Sequence, residues 1–121
     1  MAAHNELGQW GERFAAKYLE GKGFKILFRD WRYGHRDLDL VALDEEADLL
    51  LVVEVKTRRN EAFGDAQQAV TPQKIRSIAI ATNAFLKAYQ VHAQVRFDII
   101  TIVGTNPENA DIRHVEDVPL M

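Results

Sequence analysis

Apolar residues return at helical spacing near the amino end of the chain. Trp10, Phe14, Ala15, Tyr18 and Leu19 fall within about half of a helical wheel. Gly21 and Gly23 then interrupt the pattern, which predicts a first helix over residues 6–20. Phe24 to Phe28 reads as a strand, and the polar stretch from Arg29 to Arg36, which holds Trp31, Tyr33 and Gly34, reads as a connection. Two runs rich in Leu and Val follow, Leu38 to Leu43 and Leu49 to Lys56, separated by Glu45 to Asp48. Four polar residues are a common hairpin length, so the two runs should pair antiparallel. Arg58 to Asp65 is polar, contains Gly64 and reads as a loop suited to function. Thr71 supplies an N-cap oxygen and Pro72 fits the first helical position, where a missing N–H costs nothing. Helix two therefore runs from there to about Tyr89, with Ile75, Ile78, Ala79, Thr82, Phe85, Leu86 and Tyr89 on the packed face. Val95 to Val103 is a long strand and Ile112 to Val115 a short last one. The order α-β-β-β-α-β-β predicts an α/β fold with a mixed sheet of about five strands flanked by helices.

If residue 44 faces residue 49 across the loop, Asp39 lies opposite Glu54 and Asp37 opposite Lys56. Side chains alternate with period two, so these four share one face with Val41, Leu43, Leu50 and Val52. The other face carries Leu38, Leu40, Ala42, Leu51, Val53 and Val55. Both faces are apolar over most of their length, as in strands central to a sheet, and charge is confined to one end. Opposed carboxylates in such a position are unfavourable unless a cation lies between them or one is protonated. Mg²⁺ or Mn²⁺ would resolve the conflict, with Asp39 and Glu54 as side-chain ligands and the Val55 carbonyl as a third. Lys56, two positions on, would then serve the attacking water or the charge on a phosphate. Plain salt bridges at a strand end are the other reading of the same residues.

With 121 residues, 47 % hydrophobic and 27 % charged, the chain has the composition of one globular domain, residues 1–121. No apolar run is longer than the five residues Leu49 to Val53, and Met1 to Gln9 has no export signature, so no membrane partner is expected. The absence of cysteine excludes disulfides, thiolate metal sites and a cysteine nucleophile, and fits a cytoplasmic protein. The net charge of −3 argues mildly against nucleic acid, but its distribution is uneven. Basic segments at 22–36 and 56–76 flank residues 37–54, which hold seven carboxylates and no cation. That arrangement suits a phosphate track around a metal site, or simply solvated charge.

Asp39, fourteen residues, then Glu54-Val55-Lys56 resembles the PD-(D/E)xK nuclease pattern of restriction-endonuclease-like folds. The surroundings are more specific. Gly11-Glu12, Asp37-Leu38-Asp39-Leu40-Val41-Ala42, Val53-Glu54-Val55-Lys56-Thr57-Arg58, Phe63-Gly64, Ala69-Val70-Thr71, Lys74 and Arg96-Phe97-Asp98 resemble, in that order, the YraN family, bacterial proteins similar to archaeal Holliday junction resolvases. The likeness covers residues 8–115 and implies a restriction-endonuclease-like fold, a Mg²⁺-type ion and a nucleic-acid substrate, with branched DNA among the candidates. It implies that Asp39 and Glu54 are metal ligands, Lys56 the catalytic lysine and Glu12 the acid of helix one. Where the family reads Gly-Glu-Ile-Asp, this chain has Arg36-Asp37-Leu38-Asp39.

On its own, Glu12 borders the apolar face of its helix and suits either a solvated position or one aimed past the sheet toward the acids. Arg36, Arg58, Arg59 and Lys74 are candidate phosphate contacts. Trp31 and Tyr33 suit core packing or base stacking, His35 reads as a loop residue, and Asp98 suits a pair with an arginine. These features lead to a metal-dependent endonuclease acting on DNA. The alternatives are a non-catalytic nucleic-acid-binding or scaffolding protein of the same fold, and a protein-interaction module. Coordinated cutting of a junction would require two active sites, hence a homodimer.

Overall fold

Helix α1 (Ala2–Gly21) begins before the first apolar repeat, because Ala2 and Ala3 favour helix without marking a buried face. The computed structural model describes residues 2–60 and 70–120. The elements that follow are β1 (Lys25–Tyr33), β2 (Arg36–Asp44), β3 (Leu49–Arg58), α2 (Pro72–Ala88), β4 (Gln94–Val103) and β5 (Asp111–Val115). The order is the one the hydrophobic pattern predicts, α-β-β-β-α-β-β in an α/β fold. The five strands form one mixed sheet in sequence order, antiparallel except for the parallel pair β3–β4. Helix α2 belongs to the crossover that this parallel pair requires.

The segment Arg29 to Arg36 is strand for most of its length, not a connection. Tyr33 pairs with Arg36, and only Gly34 and His35 turn the chain. Gly34 has φ +63° while His35 stays at negative φ, the signature of a type II′ turn. β1 is an edge strand, where charged side chains such as Arg29 and Arg32 are at home, so polarity misled the reading.

The β2–β3 hairpin has the expected register, from Asp44 opposite Leu49 to Leu40 opposite Val53. There the ladder stops. Asp39 and Glu54, and Asp37 and Lys56, are therefore not ladder partners. On the other side of β2, Arg29 pairs with Leu40 and Trp31 with Leu38, while Asp30 and Asp39 between them are left out of the register. Asp30 adopts a left-handed φ of 55°, which aspartate tolerates better than most residues. The alternation of faces changes across this break. Leu40 packs with Ala42, Leu51, Val53 and Val55 on the α1 side, whereas Leu38 joins Val41, Leu50 and Val52 on the α2 side. The expectation that Leu38 shares a face with Leu40 is thus corrected, because strict alternation does not pass through an irregular residue.

Both faces of the sheet are covered. Against α1 lie Leu40, Val53, Val55, Ile100 and Ile102 with Ala15 and Leu19 of the helix. Against α2 lie Val52, Phe97 and Ile99 with Ile78, Ala81 and Phe85. Trp31 belongs to this second core, edge-on to Phe85 at 5.1 Å, and its indole donates to the Tyr89 hydroxyl at 3.2 Å. Among the described residues, no helix is long and apolar enough to cross a membrane.

α1 meets β3 at Gly11. A Cβ at this position would overlap the Thr57 hydroxyl and lie 2.9 Å from the Thr57 Cβ, so only glycine allows the helix this close. Gly11→Ala is expected to cost about 1–3 kcal/mol by forcing the helix away. Thr57→Gly should recover part of that loss in a double-mutant cycle measured by denaturant unfolding. An unchanged stability for Gly11→Ala, or strict additivity, contradicts the contact.

Candidate functional site

The end of the β2–β3 ladder opens a cavity of about 320 Å³ between the two helices. Glu12 of α1, Asp39 of β2, Glu54, Val55 and Lys56 of β3, and Lys74 of α2 all line it. Each arrives for a local reason. The Gly11–Thr57 contact brings Glu12 over β3. The Thr71 hydroxyl accepts the Lys74 amide at 3.1 Å, capping α2 and fixing Lys74 in its first turn. Asp39 takes over where backbone pairing ends, since its Oδ2 accepts the Val55 amide at 2.9 Å. An extended residue directs its N–H and C=O to the same edge, so the Val55 carbonyl also faces this gap.

Glu54 is 3 % exposed, and its Oε2 lies 3.6 Å from Lys56 Nζ and 3.9 Å from Lys74 Nζ. Lys74 also lies 3.8 Å from Asp37 Oδ1, so Asp37 is served by the helix lysine and not by Lys56 as its sequence position suggests. Burial pushes the Asp39 carboxyl well above the ordinary range, and the neighbouring charge of Glu54 pushes it further. The Val55 N–H opposes this rise, and the closeness of the Glu54 side chain adds to it. Glu12 is raised to about 7, first by burial and then by Asp39 and Asp30, with Arg29 acting the other way. Two of the three carboxyls are therefore raised above their ordinary range, while the two lysines stand against the third.

Arg36, Arg58 and Arg59 do not line this cavity. Arg36 and Arg58 sit at the neighbouring ends of β2 and β3, each with a buried Nε that has no hydrogen-bond partner among the described residues. Arg59 is exposed just beyond β3. Phe63, Gly64, Ala69 and most of the loop expected at 58–65 lie outside the described residues. Tyr33 and His35 are exposed, and Trp31 is core.

A second polar cluster escaped the sequence reading. Asp98 is wholly buried and binds Arg96 through both oxygens, at 3.0 and 2.9 Å, which bears out its expected arginine partner. It also accepts the Asp117 amide at 3.0 Å and meets His114 Nε2 at 2.7 Å, while His114 Nδ1 lies 2.9 Å from the Tyr18 hydroxyl. Asp98, His114 and Glu116 bring ligand atoms within 4.8 Å of one another. Asp98 nevertheless has four hydrogen-bond partners for its four lone-pair positions, and Arg96 places a positive charge against it. This cluster ties β4, β5 and the tail together and is ill suited to a cation. A larger cavity of about 550 Å³ between α2 and the tail has, among the described residues, Arg76 as its only charged lining residue, whereas the smaller one gathers three acids and two lysines.

A family model described as "Uncharacterised protein family UPF0102" matches residues 11–102. The UPF0102 protein of Phocaeicola vulgatus is 48 % identical over 117 residues, covering 97 % of this chain and 94 % of that protein. That of Bacteroides thetaiotaomicron is 46 % identical over 117 residues, with the same coverage. That of Flavobacterium johnsoniae is 43 % identical over 121 residues, covering 97 % and 96 %.

The raised carboxyls give the fold a defined pH dependence. A carboxyl whose folded pKa exceeds its unfolded value favours folding fully below the unfolded value and loses that contribution as pH rises through the folded one. For Glu12 the window runs from 4.5 to about 7. In the absence of divalent ions, Glu12→Gln should match wild type at about pH 4 and exceed it at about pH 8. The gain should be of order 1 kcal/mol after allowance for solvent screening. A difference in melting temperature that does not change with pH contradicts this.

Proposed function

The chain belongs to the uncharacterised protein family UPF0102, the YraN family of the motif reading, and from that premise we propose that it is a metal-dependent endonuclease hydrolysing phosphodiester bonds in DNA. The observation that carries the reading is the convergence of Glu12, Asp39, Glu54, Val55 and Lys56 on one cavity at the open end of the ladder, with Asp39 near enough to Glu54 for that charge to raise its carboxyl. The donors around the gap are all oxygen, the Asp39 and Glu54 carboxylates and the Val55 carbonyl. A hard ion such as Mg²⁺ or Mn²⁺ takes this set. When bound, such an ion polarises a phosphate oxygen and acidifies a water.

The chain's own residues do the rest. Lys56, beside Glu54, orients the attacking water and faces the negative charge that develops on the phosphate. Glu12, raised to about 7, is suited to hold a proton passing to or from that water near neutral pH. Lys74 is poised to exchange Glu54 and Asp37 for a substrate phosphate, and Arg36, Arg58 and Arg59 extend the phosphate contacts along the strand ends. Branched or junction DNA is the substrate that the likeness to resolvases suggests. Paired cuts in it would require a homodimer.

The test is cleavage of branched, single-stranded and linear DNA with Mg²⁺ or Mn²⁺. Wild type should cut at least one of them, and Glu54→Ala and Lys56→Ala should each slow cleavage by about 10²–10³ or more. Equal inertness of wild type and both variants on every substrate overturns the enzyme reading and leaves a non-catalytic binding protein.

A further inference from the structure

Next to Glu12 in sequence stands Arg13, and one helical turn further stands Lys17. Both are exposed, and with Arg29 of β1 they line a shallow groove of about 200 Å³ floored by Ala16 and Ile26. Other cations near acids are engaged: Lys56 and Lys74 with Glu54, Arg96 with Asp98, Arg32 with Asp30. Among the described residues, Arg13, Lys17 and Arg29 make neither a hydrogen bond nor an ion pair. Three exposed cations gathered on one groove of a chain with net charge −3 make a local positive surface beside the acid pocket.

The groove adjoins the acid pocket. Arg29 acts electrostatically on Glu12, which lines that pocket, and Arg13 follows Glu12 directly. At the other end, Glu20 lines the groove and reverses its charge. Glu12 and Glu20 are eight residues apart, roughly 12 Å along the helix axis. That length admits about two phosphates of one DNA strand, whose spacing along the strand exceeds the ~3.4 Å they advance along the duplex axis.

The geometry points to a phosphodiester-backbone subsite in the α1–β1 groove, which carries a DNA strand away from the acid pocket on Arg13, Lys17 and Arg29 and ends at Glu20. This rests on the nucleic-acid reading of the acid pocket and adds to it where the strand runs.

The experiment is a set of anisotropy titrations of a short labelled DNA duplex in EDTA across a series of KCl concentrations, so that no cutting intervenes. Compared with wild type, R13A/K17A/R29A should bind at least about tenfold more weakly, with the log–log salt slope reduced by about 2–3. E20K, an exposed single change, should steepen the slope by about 1 and decides the matter if the triple variant does not fold. Equal slopes in wild type and both variants, or no salt-dependent binding by wild type, overturn the subsite. Hydrolysis of a small chromogenic diester by wild type and K56A, with Mn²⁺, scores the acid pocket separately, so the two readings fail distinguishably.

Discussion

Two carboxylates, the half-buried Asp39 and the buried Glu54, are held close together on one cavity where the β2–β3 ladder ends. Ionising both without a cation is costly, and the chain meets that cost in two visible ways. Burial and the neighbouring Glu54 charge raise the Asp39 carboxyl well above its ordinary range, and two lysines from different elements lean on one Glu54 oxygen. An interior that only needed stability would be better filled by apolar side chains of similar volume. The arrangement makes physical sense as a seat for positive charge.

The rest of the fold reads as support for that seat. Sheet pairing brings the strands together through Leu40 and Val53 and then releases them, and the Asp39 side chain takes the hydrogen bond that backbone would otherwise make. On either side of Asp39, Leu38 anchors in the α2 core while Leu40 anchors in the α1 core. Asp39 is thereby pinned from both sides. Gly11 on one face and the Thr71 cap on the other bring each helix to the distance at which Glu12 and Lys74 reach the same cavity.

Much of this was legible in the sequence because it is local. The Thr71-Pro72 start of α2 and the four-residue loop that sets the β2–β3 register follow from nearby residues alone, and that register ends at Leu40 and Val53, next to Asp39 and Glu54. The fold class follows from the alternation of helical and strand periods. What failed depends on contacts distant in sequence or on backbone angles. Leu38 lies on the other face from Leu40 because a strict period of two, which is all the pattern offers, does not hold through Asp39. β1 was cut short because edge strands tolerate the charges that also mark loops. The Tyr18–His114 contact joins residues 96 apart, and the pairing of Lys74 with Asp37 and Glu54 crosses from helix to sheet, so neither leaves a local signal. A hint was chemical: Asp98 stands next to Phe97, Ile99 and Ile100 and so had to find partners, of which Arg96 is two positions away.

The central claim is that the gap between Asp39 and Glu54 is a divalent-cation site, and a crystal of the protein grown or soaked with Mn²⁺ tests it most directly. The account predicts anomalous density within about 2.2 Å of an oxygen of each carboxylate, with the Val55 carbonyl facing the ion. Manganese absent from this gap, or found instead on Asp98, His114 and Glu116, contradicts it.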